Sequence, residues 1–273
     1  MRICAENIHF TYPGNVKVLD NISVTLNPGE KVALIGANGS GKTTFARHLN
    51  GLLRPQSGTV WVGDWKTSEH SPAQLAQRVA YVFQNPDEQL FRQRVWDEVA
   101  FGPQNLGYSA SQVENMVEQA LSLMGLTNEA NFNPRDLNYS GRKRVSLASA
   151  LAMQTPVLIF DEPTASLDMK EKKQFSKVLK TLNLENKTTL IISHDMDFVV
   201  ENVDRIILMY EGKMIHDTST KHFFKDKELI ENSGLVIPQL IRLSQELNHL
   251  DLALNVEQFI KERERIITTI KTE

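Results

Sequence analysis

Apolar and polar residues alternate along the first 35 positions. Ile8, Phe10 and Tyr12 fall on one face at period two, and Pro13-Gly14 ends the run. "ISVTLNPGEKVALIG" reads as two strands joined at Asn27-Pro28-Gly29. Its second half, "KVALIG", is almost continuously apolar, the pattern of a parallel strand buried on both faces. "SGTVWVG" (57–63) and "RVAYVFQ" (78–84) predict two more strands. "PVLIF" (156–160), "TTLIIS" (188–193) and "RIILMYEGKMIHD" (205–217) follow, the last as a hairpin turning near Glu211-Gly212.

From about residue 86 the spacing becomes helical. Ser111-x-x-Glu114 predicts a capping box. Val113, Met116, Val117, Ala120, Leu121 and Met124 follow on one face, and Gly125 stops the run. A further helix runs through "VSLASALAM". The chain reads as an α/β core, 1–220, interrupted by a helical insertion near 86–150, with a helical tail over 221–273. In the tail, Leu240, Leu243, Leu247 and Leu250 form a stripe. A second helix begins near Asn255, with Gln258 closing a capping box and Phe259, Ile266 and Ile270 behind it. This tail is either a hairpin packed on its own domain or a surface for a partner. No internal repeat interrupts the pattern.

Composition narrows the classes. At 273 residues and 41% hydrophobic, the chain supports one large core plus a small appendage. The net charge of −3 gives no polyelectrolyte basis for binding nucleic acid. The one cysteine, Cys4, excludes an internal disulfide and fits a reducing compartment. "RICAENIHF" is too short and polar for a signal-peptide core. No apolar run reaches the length of a membrane span, so a soluble chain is expected, linked to any membrane through a partner.

"GANGSGKTT" carries the clearest chemistry. Gly36 through Thr43 match G-x-x-x-x-G-K-[ST] between a buried strand and a helix. Glycines let main-chain N–H groups close on phosphate oxygens, and the helix offers its N-terminus to the anion. Lys42 is placed to reach the β- and γ-phosphates, and Thr43 to ligate Mg²⁺. "VLIFDE" puts Asp161 and Glu162 at the end of another buried strand, where ligands of open α/β sheets collect. Asp161 can hold Mg²⁺ through water, and Glu162 can polarise an attacking water. His194 and Gln84 are expected at two more strand ends.

In order and type, these motifs resemble the ATPase subunit of ATP-binding-cassette (ABC) transporters over about residues 1–220. The resemblance implies a P-loop NTPase core with an N-terminal antiparallel β part. Tyr12 stands as the adenine-stacking aromatic. Gly36, Ala37, Asn38, Gly39, Ser40, Gly41, Lys42, Thr43 and Thr44 form the Walker A loop for ATP. Gln84 is the Q-loop and a Mg²⁺ ligand with Thr43 and Asp161. Glu162, His194 and Gln84 are catalytic, and Asp168 belongs to the D-loop "SLD". "FQNPDEQLF" and "VWDEVAFGPQNLGY" look like the ATPases of energy-coupling-factor importers of vitamins and trace metals. That resemblance implies a peripheral subunit on the cytoplasmic face of the cell membrane. It would work beside a second ATPase, a membrane-embedded coupling subunit facing residues 84–106, and a separate substrate-binding membrane subunit. The tail helps two ATPases dimerise in that family. The apolar residues Leu90, Phe91, Val95, Trp96, Val99 and Phe101 of the coupling segment serve the core equally well.

"LNYSG" (137–141) replaces the family's signature L-S-G-G-Q when no gap is placed. Aligning Ser140 with the signature serine instead shortens the following helix by two residues and rotates its face by about 200°. The ungapped reading is adopted. Asn138 then replaces serine, Tyr139 replaces glycine, and Ser140 and Gly141 fill the last places. The signature contacts the ATP of the partner, so this variation points to a heterodimer with unequal sites. Two other functions fit less of the pattern: a nucleotide-binding regulatory subunit with little turnover, and a soluble non-transport cassette ATPase.

Overall fold

The computed structural model describes residues 1–226, 228, 230, 235–247 and 252–272. The apolar runs form two sheets. Strands β1 (Ile3–Tyr12), β2 (Val16–Leu26), β4 (Ser57–Val62) and β5 (Trp65–Lys66) make an antiparallel sheet in the order β2-β1-β4-β5. The second sheet contains β3 (Lys31–Ile35), β6 (Val79–Val82), β7 (Val157–Asp161), β8 (Thr188–Ile192), β9 (Arg205–Tyr210) and β10 (Lys213–Ser219). Its order is β10-β9-β3-β8-β7-β6, with every neighbouring pair parallel except β9 and β10. Those two form the expected hairpin, turned by Glu211 and Gly212 at φ 44° and 75°.

The continuous apolar run of β3 has a direct cause. Val32 and Leu34 enter a core shared with the antiparallel sheet, while Ala33 and Ile35 enter a core shared with the helices. Strands β7 and β8 divide in the same way and are buried at all five positions. Helix α1 (Lys42–Leu49) follows β3 and puts Phe45, Ala46 and Leu49 into the first core. A short α2 (Pro72–Leu75) precedes β6. The insertion supplies α3 (Val95–Asn105), α4 (Ala110–Met124) and α5 (Tyr139–Ala152) to the second core, joined there by α6 (Met169–Leu184) and α7 (Met196–Asn202).

Two local expectations change, and one open alternative resolves residue by residue. The capping box lies two residues before Ser111: Ser109 is the N-cap of α4, and its N–H donates to Gln112 Oε1 at 2.9 Å. Both serines fit the same sequence template. Gly107, at φ 83°, redirects the chain so that the turn reaches Ser109 first. Strand β6 ends at Val82, so Gln84 stands two residues beyond it. The coupling segment divides: Leu90, Val95 and Val99 are core, whereas Phe91 is 55% exposed.

The tail begins with α8 (Thr220–Phe223) and continues as α9 (Gln239–Glu246) and α10 (Val256–Thr272). Phe223, Phe224, Ile230, Ile241 and Leu252 pack into the helical core. Helix α9 buries Ile241 and Ser244 rather than its leucines; Leu243 and Leu247 stay exposed and Leu240 is half-buried. Leu250 and the side chains of Ile266 and Ile270 lie outside the described residues. Asn255 Oδ1 accepts from Gln258 N at 2.9 Å, and Gln258 Oε1 accepts from Leu254 N. The cap therefore closes one residue earlier than a standard box.

The revised cap gives a stability test. Ser109→Ala should cost about 1 kcal/mol in urea unfolding, whereas Ser111→Ala should stay within about 0.5 kcal/mol of the parent. The reverse ranking would restore the cap to Ser111.

Candidate functional site

Strand β3 lies between β9 and β8, and β7 lies between β8 and β6. Parallel pairing brings the carboxyl ends of these strands to one edge, with Asp161 opposite Ile192 and Ile35 opposite Leu208. The loops that follow converge there. They line a cleft of about 420 Å³ that includes Tyr12, Asn38, Gly39, Gly41, Lys42, Thr43, Thr44, Gln84, Asp161, Glu162 and His194.

The glycine loop fits phosphate for steric reasons. Gly36 has φ 145°, and a Cβ there would meet Met209 O at 2.1 Å. Gly41, the N-cap of α1, has φ 102° and gives the helix no side-chain cap. The first N–H groups of α1 are therefore available to an anion. Lys42 is 7% exposed, and its Nζ donates to Gly36 O at 2.9 Å and Ala37 O at 2.8 Å. Burial lowers its pKa, opposed by the charges of Glu162 and Asp161.

The acids lie beside this loop. Thr43 Oγ1 donates to Asp161 Oδ2 at 2.8 Å. A hydroxyl and a buried carboxylate in contact suit a hard cation that takes its remaining oxygens from phosphate and water. Among the described residues no cluster of three or more His, Cys, Asp or Glu forms a separate metal cage. Glu162 follows at φ 48°, outside the usual range for a non-glycine residue. Its N–H donates to Ile192 O at 2.9 Å. Burial pushes its carboxyl up to about 7, against a backbone hydrogen bond from His194 that lowers it. Glu162 Oε1 is buried without a hydrogen-bond partner, 3.5 Å from His194 Nε2. Burial and the charge of Lys42 hold His194 below the usual imidazole range. A neutral ring at pH 7 follows.

Gln84 is exposed at the cleft mouth. Tyr12 stands at the end of β1, its hydroxyl 3.3 Å from Thr44 Oγ1 and its ring edge-on to Phe10. Asp168 is the N-cap of α6, and its side chain accepts from Glu171 N. Asn138, Tyr139, Ser140 and Gly141 do not line the cleft with the other sequence-predicted residues. Asn138 caps α5 by accepting from Gly141 N at 2.7 Å. Ser140 Oγ donates to Glu171 Oε2 at 2.6 Å.

Four further residues, beside the cleft or the segments next to it, carried no recognised signal. Lys143 is 0% exposed and reaches the main chain of Phe83, Gln84 and Asp161; burial lowers its pKa to about 8. Tyr81 donates to Asp161 Oδ2 at 2.9 Å, and burial with that carboxylate raises its pKa. Glu171 receives Ser140, Asp168 N and an ion pair from Arg144 at 3.0 Å. Glu98 is 3% exposed and accepts from the N–H groups of Phe91 and Arg92, fixing the loop that presents Phe91. Tyr81 alternates with Val82 in the strand pattern. Lys143, Glu171 and Glu98 are charged residues that none of the site motifs singles out.

A central parallel strand feeding a glycine loop, flanked by a strand-end acid pair, defines a P-loop nucleotide-binding protein. The sequence profile of ABC transporters matches residues 19–165. The energy-coupling factor transporter ATP-binding protein EcfA2 of Methanospirillum hungatei is 41% identical over 89% of this chain; the chain spans 61% of that protein. EcfA of Methanocaldococcus jannaschii is 38% identical, covering 90% of this chain and 89% of its own length. The solved structure of cbiO1 from Clostridium perfringens, part of the ABC transporter complex cbiONQ, has TM-score 0.73 and 32% identity; the match covers 89% of this chain and 98% of cbiO1. The chain belongs to the ABC transporter family, as an ATPase of the energy-coupling-factor type.

The raised Glu162 pKa has a thermodynamic consequence. Between the unfolded carboxyl value of 4.5 and about 7, the folded state binds the extra proton. Stability from this group is therefore present at low pH and lost as pH rises through 7. Chemical denaturation at pH 5 and pH 8 should show Glu162→Gln gaining stability relative to the parent at pH 8. A parent-variant difference independent of pH would contradict the shift.

Proposed function

We propose that this chain binds Mg²⁺-ATP in the cleft and hydrolyses it to drive an energy-coupling-factor importer of vitamins or trace metals. The observation that carries the reading is the convergence on one cleft of the phosphate loop, both strand-end acids, Gln84 and His194. Thr43, Asp161 and Gln84 would hold Mg²⁺, which neutralises phosphate charge when bound. Lys42 leaves the loop carbonyls for the β- and γ-phosphates, and the α1 N–H groups bind phosphate oxygens. Tyr12 stacks on adenine. Glu162 Oε1, an acceptor without a partner, takes the proton of the attacking water. Neutral His194 presents Nε2–H to the γ-phosphate and keeps Glu162 oriented.

The signature residues 138–141 stand apart from this cleft, which supports a role for them in a site completed on a second ATPase. Asp168 of the D-loop lies at the same surface through Glu171. Two donors of the signature turn are already used within the chain, Gly141 N by Asn138 and the Ser140 hydroxyl by Glu171. Tyr139 adds a ring where glycine allows close approach. These features support a heterodimer with one strong and one weak site. The relatives' names support membrane partners. Phe91, with Arg92 over its ring at 5.1 Å, offers an exposed contact for a coupling subunit, and a separate membrane subunit binds the solute. The exposed α9 leucines support the tail as a dimer contact. A peripheral position on the cytoplasmic face belongs to the same reading, with the membrane partners holding the chain; among the described residues no helix is long and apolar enough to cross a membrane.

The test uses the complex isolated from membranes. Glu162→Gln should leave ATP bound and remove most turnover, while the matching substitution in the partner ATPase should remove little. Misplaced donors at a developing charge cost about 10²–10³ in rate, which a single-site assay resolves. Equal losses from the two substitutions would overturn the unequal-site reading.

A further inference from the structure

Lys143 lies on α5, two residues after the signature turn, and is 0% exposed. Its ammonium donates to Gln84 O at 2.8 Å, Phe83 O at 3.0 Å and Asp161 O at 3.3 Å. Three donors meet three main-chain acceptors, so the group is saturated. Among the described residues no carboxylate pairs with it within 4.0 Å. A buried ammonium satisfied only by carbonyls is costly to desolvate. Its retention is explained by what those carbonyls carry.

The Gln84 carbonyl belongs to the peptide plane next to the Gln84 side chain. The Asp161 carbonyl belongs to the peptide that leads into Glu162. That peptide must hold Glu162 at φ 48°, a left-handed conformation that surrounding contacts have to enforce. One side chain thus grips the loop after β6 and the turn after β7, and both grips are anchored in the helix that begins at the signature.

We propose that Lys143 is a positioning residue for ATP hydrolysis, holding Gln84 and the Asp161–Glu162 turn in a single frame set by α5. It does not touch the nucleotide. A shift of α5 moves Gln84 and Glu162 together, so a signature turn drawn toward a partner changes the catalytic geometry of its own chain. This rests on the assignment of the cleft as the Mg²⁺-ATP site.

Lys143→Met keeps the stem and removes the donors. In the assembled ATPase it should lower kcat by roughly 10²-fold, the scale of a 1 Å misplacement, with KM for ATP nearly unchanged. The full-length chain should bind a fluorescent ATP analogue without Mg²⁺ as the parent does, and should lose part of the affinity that Mg²⁺ adds. Thermal stability should fall modestly, since the carbonyls of Phe83, Gln84 and Asp161 lose their donor. Lys143→Arg, which keeps donors, should recover part of kcat. Where the Met variant does not fold, Lys143→Leu, which also lacks donors, is expected to show the same split. An unchanged kcat would overturn the proposal. So would a kcat loss matched by an equal loss of Mg²⁺-free ATP binding, which marks a merely structural role. If the parent itself gains no affinity from Mg²⁺, the site assignment fails instead.

Discussion

The hydrogen bond from Thr43 to Asp161 spans 118 positions of sequence and 2.8 Å of space. It joins the start of α1 to the end of β7, and β8 lies between their two strands. Without it the phosphate loop and the acidic pair would be separate features of one sheet edge. The sheet permits the bond because β3, β8 and β7 run parallel and in register, so their loops leave at the same level. Tyr81 adds a second donor to the same oxygen from β6. The carboxylate is thereby oriented from two sides through one oxygen.

Around that bond the protein concentrates charge in a region of low polarity. Lys42, Lys143, Asp161 and Glu162 are all buried or half-buried. Each alone would be expensive to desolvate, and together they compensate only partly. The residual cost appears as opposing pKa shifts, with the lysines lowered and Glu162 raised. A carboxyl brought close to neutrality is suited to exchange a proton near pH 7. Backbone strain at Glu162 belongs to the same arrangement, since the left-handed turn aims the side chain back toward His194.

Much of this was legible in the sequence. The run "KVALIG" announced a strand buried on both faces because its alternate residues enter two different cores. The glycine loop was legible because backbone geometry leaves few alternatives there. The Ser109 cap was not, because two overlapping templates satisfy the same rule and only the Gly107 turn chooses between them. The stripe Leu240, Leu243 and Leu247 had the right period but left open whether its own core or a partner covers it: periodicity identifies a face without saying what covers it, and the fold leaves Leu243 and Leu247 exposed. Lys143 was invisible for a related reason. In "SGRKRVS" it reads as one surface charge among three, and only the fold shows that it turns inward to carbonyls supplied 60, 59 and 18 positions away.

The central claim is that Thr43 and Asp161 form one half of a Mg²⁺-ATP site. The most direct measurement is calorimetric titration of ATP into the full-length chain, with and without Mg²⁺, for the parent and Asp161→Asn. The substitution preserves shape and an acceptor for Thr43 while removing the charge. The account predicts that Mg²⁺ strengthens ATP binding to the parent and adds little to the variant, with Mg²⁺-free affinities alike. An equal Mg²⁺-dependent gain in both proteins would contradict it.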